Sequence, residues 1–310
     1  MLVSILIPTF NREDYIEEAV NSALNQDYEH IEVIIVDNAS TDSSWEKIIN
    51  LSHKSERIKI FQNKENIGPV KNWKKCLDLS SGELIKFLFS DDLLHPNCIS
   101  ELTNELKEDV GFVFSPVEIF SDETKKREIR YQLPDSYSRN SENFIKDSIF
   151  SDNFPVSPGC AIFRRGDVYK NLHLDIPNNI NSDFSHHGIG ADLLLFLLTA
   201  RSYSFYGYID KPLSLFRSNE SSISEVSGRS KRVLYYSLVK SFYIEHFDKH
   251  LKKLFASYLR ILILYFSKWD FGEKTRLEHF FTTIPKTDLR DYLYSLYLIS
   301  KRVIRTIYRK

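Results

Sequence analysis

The chain has 310 residues, 42% of them hydrophobic and 27% charged, enough length and apolar content to bury a core. Its 41 basic and 42 acidic residues leave a formal net charge of −1, which removes any global electrostatic case for a nucleic-acid partner. The three cysteines, Cys76, Cys98 and Cys160, are odd in number and lack a CxxC spacing, which argues against a disulfide framework or a zinc site and fits a reducing cytoplasm.

Residues 1–8 are apolar but lack the basic head and length of a signal peptide. The longest apolar runs, 193–198 and 261–266, are far too short to span a bilayer, so the expectation is a soluble or peripheral protein. Residues 3–8 form a continuous apolar run, as in a strand buried on both faces. Asn11 is placed to cap a helix with Asp14 at its third position; Tyr15, Ile16, Ala19, Val20, Ala23 and Leu24 then recur at helical spacing. Residues 31–36 read as a β-branched strand running into Asp37-Asn38-Ala39-Ser40-Thr41-Asp42. A short helix follows from Ser44, then a strand at 58–61. Pro69 opens a helix with Val70, Trp73 and Leu77 on one face. A strand at 84–89 leads into Ser90-Asp91-Asp92, Pro96 starts another helix, and 111–115 reads as a further strand.

This alternation predicts an α/β fold, a mostly parallel central sheet flanked by helices. Right-handed crossovers put the strand C-termini on one edge, where open α/β sheets bind ligands. The polar clusters Thr9/Asn11, Asp37/Asp42 and Asp91/Asp92 are therefore expected to meet there. Residues 121–140, charged and without period, read as a mobile loop. Residues 155–165 read as a loop entering a strand, 191–200 as a short apolar helix headed by Asp192, and 203–209 as a strand. From Gly228 the pattern is helical to the end.

Two adjacent carboxylates repel each other, and a hard divalent cation, Mn2+ or Mg2+, would neutralise Asp91-Asp92 with phosphate oxygens completing its shell. An exposed acidic turn before a helix is the plain alternative. Asp37 can accept hydrogen bonds from a base N–H or ribose hydroxyls, or belong to a turn and cap. His186 and His187 are neighbours whose side chains point apart, so they read as loop or acceptor-site residues rather than as one metal pair.

Four segments resemble the opening of glycosyltransferase family 2, in the family's order and spacing. They are Val3-Ser4-Ile5-Leu6-Ile7-Pro8-Thr9-Phe10-Asn11, Ile34-Ile35-Val36-Asp37-Asn38-Ala39-Ser40-Thr41-Asp42, Asn66-Ile67-Gly68-Pro69-Val70-Lys71-Asn72 and Ser90-Asp91-Asp92-Leu93-Leu94-His95-Pro96. The match covers residues 1–120 and continues more loosely to 224. The resemblance implies a GT-A fold and inverting transfer of a sugar from a nucleotide diphosphate sugar, most often UDP-linked. The acceptor would be a hydroxyl of a saccharide or lipid-linked saccharide, as in bacterial capsule or O-antigen assembly.

By the same resemblance, Pro8, Thr9, Asn11, Asp37 and Asn66 belong to the nucleotide-sugar site, with Asp37 on the base. Lys71 or Asn72 lies near the diphosphate or base, Asp91 contacts the ribose or a metal-bound water, and Asp92 ligates Mn2+ or Mg2+. In Gly188-Ile189-Gly190-Ala191-Asp192, Asp192 matches the family's catalytic base, although Ala191 stands where a glutamate is usual. Arg217 matches the arginine of a segment that can reach the diphosphate, with a surface salt bridge as its alternative. Ser221-Ser222-Ile223-Ser224 would fold over bound donor. Phe89, Ala191 and Asn219 depart from the family pattern and keep open a degenerate GT-A domain that binds nucleotide sugar or serves as a scaffold. A dinucleotide oxidoreductase or a sugar nucleotidyltransferase would need a glycine-rich first turn, which Pro8-Thr9-Phe10-Asn11-Arg12 lacks.

The expected organisation is a GT-A catalytic domain over 1–225, its first part, 1–120, holding the nucleotide sugar and 121–225 the acceptor, followed by a helical region over 226–310. Leu234, Tyr235, Leu238, Val239 and Phe242 form an apolar face, and 258–266 reads as buried. Residues 292–310 are amphipathic, and Lys301, Arg302, Arg305, Arg309 and Lys310 follow one another without an acidic residue. Such a helix either lies on an anionic membrane, placing the chain at the inner face of the plasma membrane, or packs on the domain with its basic face solvated. The oligomeric state is left open.

Overall fold

The computed structural model describes residues 1–134, 139–151, 154–218, 228–265 and 275–307. Strands β1 (Val3–Thr9), β2 (Ile31–Asp37), β3 (Ile58–Gln62) and β4 (Leu84–Phe87) alternate with helices α1 (Ile16–Leu24), α2 (Ser44–Ser52) and α3 (Pro69–Leu79). Short β5 (Leu93–Leu94) and helix α4 (Cys98–Glu105) lead to β6 (Val110–Phe114). With β9 (Ala161–Arg164) and β10 (Phe205–Tyr208) they build a seven-stranded sheet in the order β10-β6-β9-β4-β1-β2-β3. All its strands are parallel except β9, which runs antiparallel between β4 and β6.

Every position of β1 and β2 is buried, because helices cover both sheet faces. Successive residues feed opposite cores. Val33 and Ile35 pack with Val3, Ile5, Ile7 and the apolar side of α1; Ile34 and Val36 pack with Leu6, Val70, Trp73 and Leu77. Each such side chain contributes about 1.5–3 kcal/mol when fully buried. A one-residue register slip would exchange the two sets, so the level at which Thr9 sits beside Asp37 is firmly specified.

A second sheet, in the order β5-β11-β7-β8, joins β7 (Val117–Phe120), β8 (Arg127–Arg130) and β11 (Ser214–Arg217). Here the mobile-loop expectation for 121–140 is corrected: β8 pairs antiparallel with β7, from Val117↔Arg130 to Phe120↔Arg127. All four β8 residues are exposed, so this edge strand has no apolar alternation to reveal it. The capping role expected of Asn11 is also corrected, since α1 begins only at Ile16. Asn11 instead adopts a left-handed φ of 50° and turns its side chain to the neighbouring loop. Strand β4 ends at Phe87, two residues short of the expected span.

Helices α5 (Ser141–Phe150), α6 (Arg165–Asn171) and α7 (Phe184–His187) precede α8 (Ala191–Arg201). Helix α8 is buried along nearly its whole length, which explains its apolar character on every side. Three longer helices close the chain: α9 (Gly228–Phe247) against α8, α10 (Lys252–Tyr265) against α9, and α11 (Leu289–Ile307) against α10. Among the described residues, no helix is long and apolar enough to cross a membrane.

Candidate active site

The C-terminal ends of β1, β2 and β4 open onto one rim. Beyond β1 and β2, Asn11 (φ 50°) and Ala39 (φ 60°) both sit in the left-handed region, at a cost of about 1–2 kcal/mol each. Hydrogen bonds between the two loops offset that strain. The Asn11 N–H donates to Ser40 Oγ at 2.9 Å, and the Thr41 N–H donates to Asn11 Oδ1 at 2.9 Å. Asp37 is fully buried and accepts from the Ser40 N–H (3.0 Å), the Ser40 hydroxyl (2.5 Å) and Gln62 Nε2 (3.1 Å). Pro8 and Thr9 are buried beside it. Asn38 Nδ2 donates to Asn66 Oδ1 at 2.8 Å, which fixes the third loop against the second. Asn72 is spent on structure, donating to the Val36 carbonyl at 3.0 Å, whereas Lys71 stays exposed on the first turn of α3.

The acidic pair follows β4. Asp91 Oδ2 pairs with Arg12 Nε at 3.1 Å, tying it to the first loop. Asp92 is buried, and its Oδ1 accepts the Arg217 backbone N–H at 2.9 Å. Burial, then the adjacent Asp91 carboxylate, push the Asp92 carboxyl well above the ordinary carboxylate range. The Arg217 guanidinium donates to the Asp91 carbonyl at 3.0 Å and to Glu18 at 2.6 Å, and also pairs with Asp122. It lies between the rings of Tyr15 and Phe120, 4.8 and 4.7 Å from their centroids. To reach a diphosphate it would have to exchange Glu18 or Asp122 for phosphate oxygens.

Sequence reasoning missed Lys86. It is wholly buried in β4 behind the acidic pair, its Nζ donating to the Gly159 carbonyl and to Ser214 Oγ at 3.1 Å. The available signal was a lysine inside an otherwise apolar strand, Leu84-Ile85-Lys86-Phe87-Leu88-Phe89.

Asp192 is the second residue of α8, and Gly190 holds the cap position. Its Oδ1 accepts the backbone N–H groups of Gly190 (2.8 Å) and Leu193 (2.7 Å), and its Oδ2 accepts the Tyr236 hydroxyl at 3.0 Å. Burial raises the Asp192 carboxyl to about 7 despite these bonds. Tyr236 comes from α9, beyond the stretch that carries the family resemblance, so no motif pointed to it. Gly190 has a φ of 109°, and a Cβ there would lie 2.5 Å from Val239 Cγ2, so only glycine gives α8 this start.

Close packing brings this segment to the same rim. Gly68 (φ 83°) approaches the Ser185 carbonyl so nearly that a Cβ would stand 2.7 Å from it, and Gly188 abuts Pro69. Contacts thus run from Asp37 through Asn38, Asn66 and Gly68 to α7 and Gly188, and from Asp37 through Ser40, Asn11 and Arg12 to Asp91. The two histidines part, as expected. His186 is exposed, while His187 stacks on Tyr235 at 4.0 Å and accepts the Ile189 N–H, with burial lowering it to about 4. Asn219 and 221–224 lie outside the described residues.

Among the described residues, no group of three or more His, Cys, Asp or Glu side chains is arranged to hold a metal. The described residues thus offer no all-protein cage. A single buried, charge-crowded carboxylate does fit a hard divalent ion that takes its other ligands from phosphate oxygens and water.

The comparisons with known proteins agree with this architecture. The Campylobacter jejuni GalNAc(5)-diNAcBac-PP-undecaprenol beta-1,3-glucosyltransferase is 29% identical over 271 residues, 85% of this chain and 82% of that protein. TuaG of Bacillus subtilis, named for teichuronic acid biosynthesis, is 40% identical over 91 residues, 30% of this chain and 37% of that one. The crystal structure of S. aureus TarS 1-349 in complex with UDP superposes with a TM-score of 0.64 at 19% identity, covering 100% of this chain and 89% of that one, a likeness of fold. The profile of Glycosyl transferase family 2 matches residues 4–172. With a GT-A sheet and the family's motifs gathered along one rim, the chain belongs to glycosyl transferase family 2.

Proposed function

We propose that the chain transfers a sugar, with inversion, from a UDP-sugar to a hydroxyl of a saccharide or lipid-linked saccharide during bacterial surface-polysaccharide assembly. The catalytic unit is 1–225, with 226–310 as a helical extension. The observation that supports the reading is Asp192, a carboxyl raised to about 7 at the start of α8, just after the Gly188 that abuts Pro69 of α3.

In this reading Asp192 takes the proton of the acceptor hydroxyl as its oxygen bonds to the anomeric carbon. The bond from that carbon to the diphosphate oxygen breaks, and its electron pair leaves with the nucleoside diphosphate. Pro8, Thr9, Asn11 and Asp37 line the nucleotide site, with Asn66 beside them. Lys71 and Arg217 face the diphosphate, and Asp91 faces the ribose or a bound water. Asp92 would hold Mn2+ or Mg2+, and the ion would supply positive charge near the departing diphosphate. The relatives named for a PP-undecaprenol-linked saccharide and for teichuronic acid biosynthesis support the acceptor class, and TarS crystallised with UDP supports the nucleotide.

The test is a thermal-shift screen of UDP-, GDP- and dTDP-sugars with Mn2+, followed by transfer with the donor that stabilises best. Stabilisation by a UDP-sugar and transfer to a saccharide or polyprenyl-linked acceptor is the expected result; no response to any nucleotide sugar would remove the proposal. Ala191 in place of the family's glutamate favours one rival, a binding protein without turnover. Donor binding with neither hydrolysis nor transfer would select it.

A further inference from the structure

Helix α11 packs on α10 through its less apolar side. Ser295 is fully buried and donates to the Leu254 carbonyl at 3.3 Å, and Arg260 of α10 donates to the Tyr292 hydroxyl at 2.8 Å. Leu298 and Ile299 complete the seam. The opposite side carries the larger apolar groups: Leu289, Leu293, Leu296 and Tyr297 are 73, 58, 52 and 48% exposed. Their spacing places them on one helical face. A helix packed on a domain and otherwise facing water shows the reverse arrangement, with its polar residues outward.

Beside this stripe runs a second line, Arg290, Tyr294, Tyr297 and Lys301. Lys301 Nζ lies 4.8 Å from the Tyr297 ring centroid, and Lys146 of α5 donates to the Tyr294 hydroxyl at 3.1 Å. The acidic residues at this end are engaged in capping the first turn of the helix. Asp288 Oδ1 accepts the N–H groups of Arg290 (2.9 Å) and Asp291 (3.1 Å), and Asp291 Oδ2 accepts that of Asp288 (3.0 Å). The flank of the stripe thus carries cations and tyrosines, and the sequence continues with Arg302, Arg305, Arg309 and Lys310.

We propose that α11 docks the protein on an anionic lipid bilayer, lying in the plane of the interface. Leu289, Leu293 and Leu296 enter the acyl boundary, Tyr294 and Tyr297 sit at headgroup depth, and Arg290 and Lys301 meet lipid phosphates. Charge complementarity selects this occupant: a leucine stripe flanked by tyrosines and cations matches an apolar layer under a negative surface. The docking is independent of which donor and acceptor the rim uses, because its readout needs no turnover. The helix packs on the protein, as one of the two sequence readings expects, and its outward stripe is the face that the membrane reading needs.

The experiment is co-sedimentation of the full chain with phosphatidylcholine vesicles and with vesicles containing phosphatidylglycerol, alongside sedimentation velocity without lipid. Wild type is expected to bind the anionic vesicles about tenfold or more better than the neutral ones, and less well at high salt. Leu293→Glu with Leu296→Glu should abolish binding while Tm and donor-induced stabilisation stay unchanged; Arg290→Glu with Lys301→Glu should remove the anionic preference. Absence of wild-type binding to anionic vesicles overturns the proposal. So does a wild-type dimer that the leucine variant dissolves without vesicle binding, which would make the stripe a contact between copies.

Discussion

Asp92, after β4, and Asp192, at the start of α8, are two carboxylates both pushed toward protonation, and the protein surrounds them in opposite ways. Asp92 is crowded by a like charge, and its surroundings answer with cations: Arg12 on the Asp91 carboxylate, Arg217 with its guanidinium on the Asp91 carbonyl and its backbone N–H on the Asp92 carboxylate, Lys86 behind. Burial still outweighs them. Asp192 is raised by burial rather than by a like charge, and no cation is among its hydrogen-bond donors. Two backbone N–H groups and a phenol hold it against burial alone. The first shortfall would be relieved by more positive charge, as a divalent ion would bring. The second is relieved by a proton that comes and goes near neutral pH. In the proposed function, the first environment suits a carboxylate that meets a cation and the second one that exchanges a proton.

The largest expected effect separates these roles. Asp192→Asn should cost about 10²–10⁴ in kcat, the usual weight of a general base, while leaving donor-induced thermal stabilisation intact. Transfer within tenfold of wild type would take the base role away from Asp192. Asp92→Asn should instead remove the Mn2+-dependent part of donor affinity, a loss on the order of 10²-fold that added metal does not restore. Titration calorimetry with and without chelator measures it, and equal donor affinity in both conditions for wild type would end the metal reading.

A smaller effect tests the cationic surroundings. Arg217→Met keeps an unbranched side chain between Tyr15 and Phe120 but deletes the bonds to Asp91, Glu18 and Asp122. The Glu18 and Asp122 side chains are 60 and 56% exposed, so those pairs contribute little. The loss should be about 1–3 kcal/mol in urea unfolding, mainly the buried bond to the Asp91 carbonyl and the packing of the arginine. An unchanged midpoint would mean that Arg217 is held there for substrate alone.

The legible part of this molecule was the part with period and local signal. The buried runs at β1 and β2, the proline at the start of α3 and the loop motifs after each strand placed the rim, because a parallel sheet leaves few other arrangements for them. Strand β8 was hidden because its four residues face solvent and carry no alternation. Asn11 looked like a cap because asparagine serves equally at caps and in left-handed turns, and only the approach of Thr41 decides between them. Asp192 was found through its motif, but its partner Tyr236 follows 44 residues later on a helix outside any motif. Such a pairing is a product of α9 packing on α8. The outward stripe of α11 was equally hidden, since amphipathicity shows two faces without saying which one meets the protein.

The subtlest expected effect lies in that Tyr236–Asp192 bond. Asp192 must be ionised to accept a proton, so kcat/KM should fall as pH drops through about 7. The Tyr236 hydroxyl donates to the ionised form and stabilises it. Tyr236→Phe should therefore move the acid limb upward by about half a unit to one unit, the equivalent of one net hydrogen bond of 0.5–1.5 kcal/mol. The variant would lose several-fold at neutral pH and recover at higher pH, where Asp192 is ionised in both proteins; a purely structural role would lower the rate equally at every pH. Linkage gives a second readout. Because the folded-state value lies above the unfolded one, the folded form binds the extra proton, and this group's contribution to stability declines as pH rises from the ordinary carboxylate range to about 7. Asp192→Asn should flatten that decline in Tm, and Tyr236→Phe should extend it to higher pH.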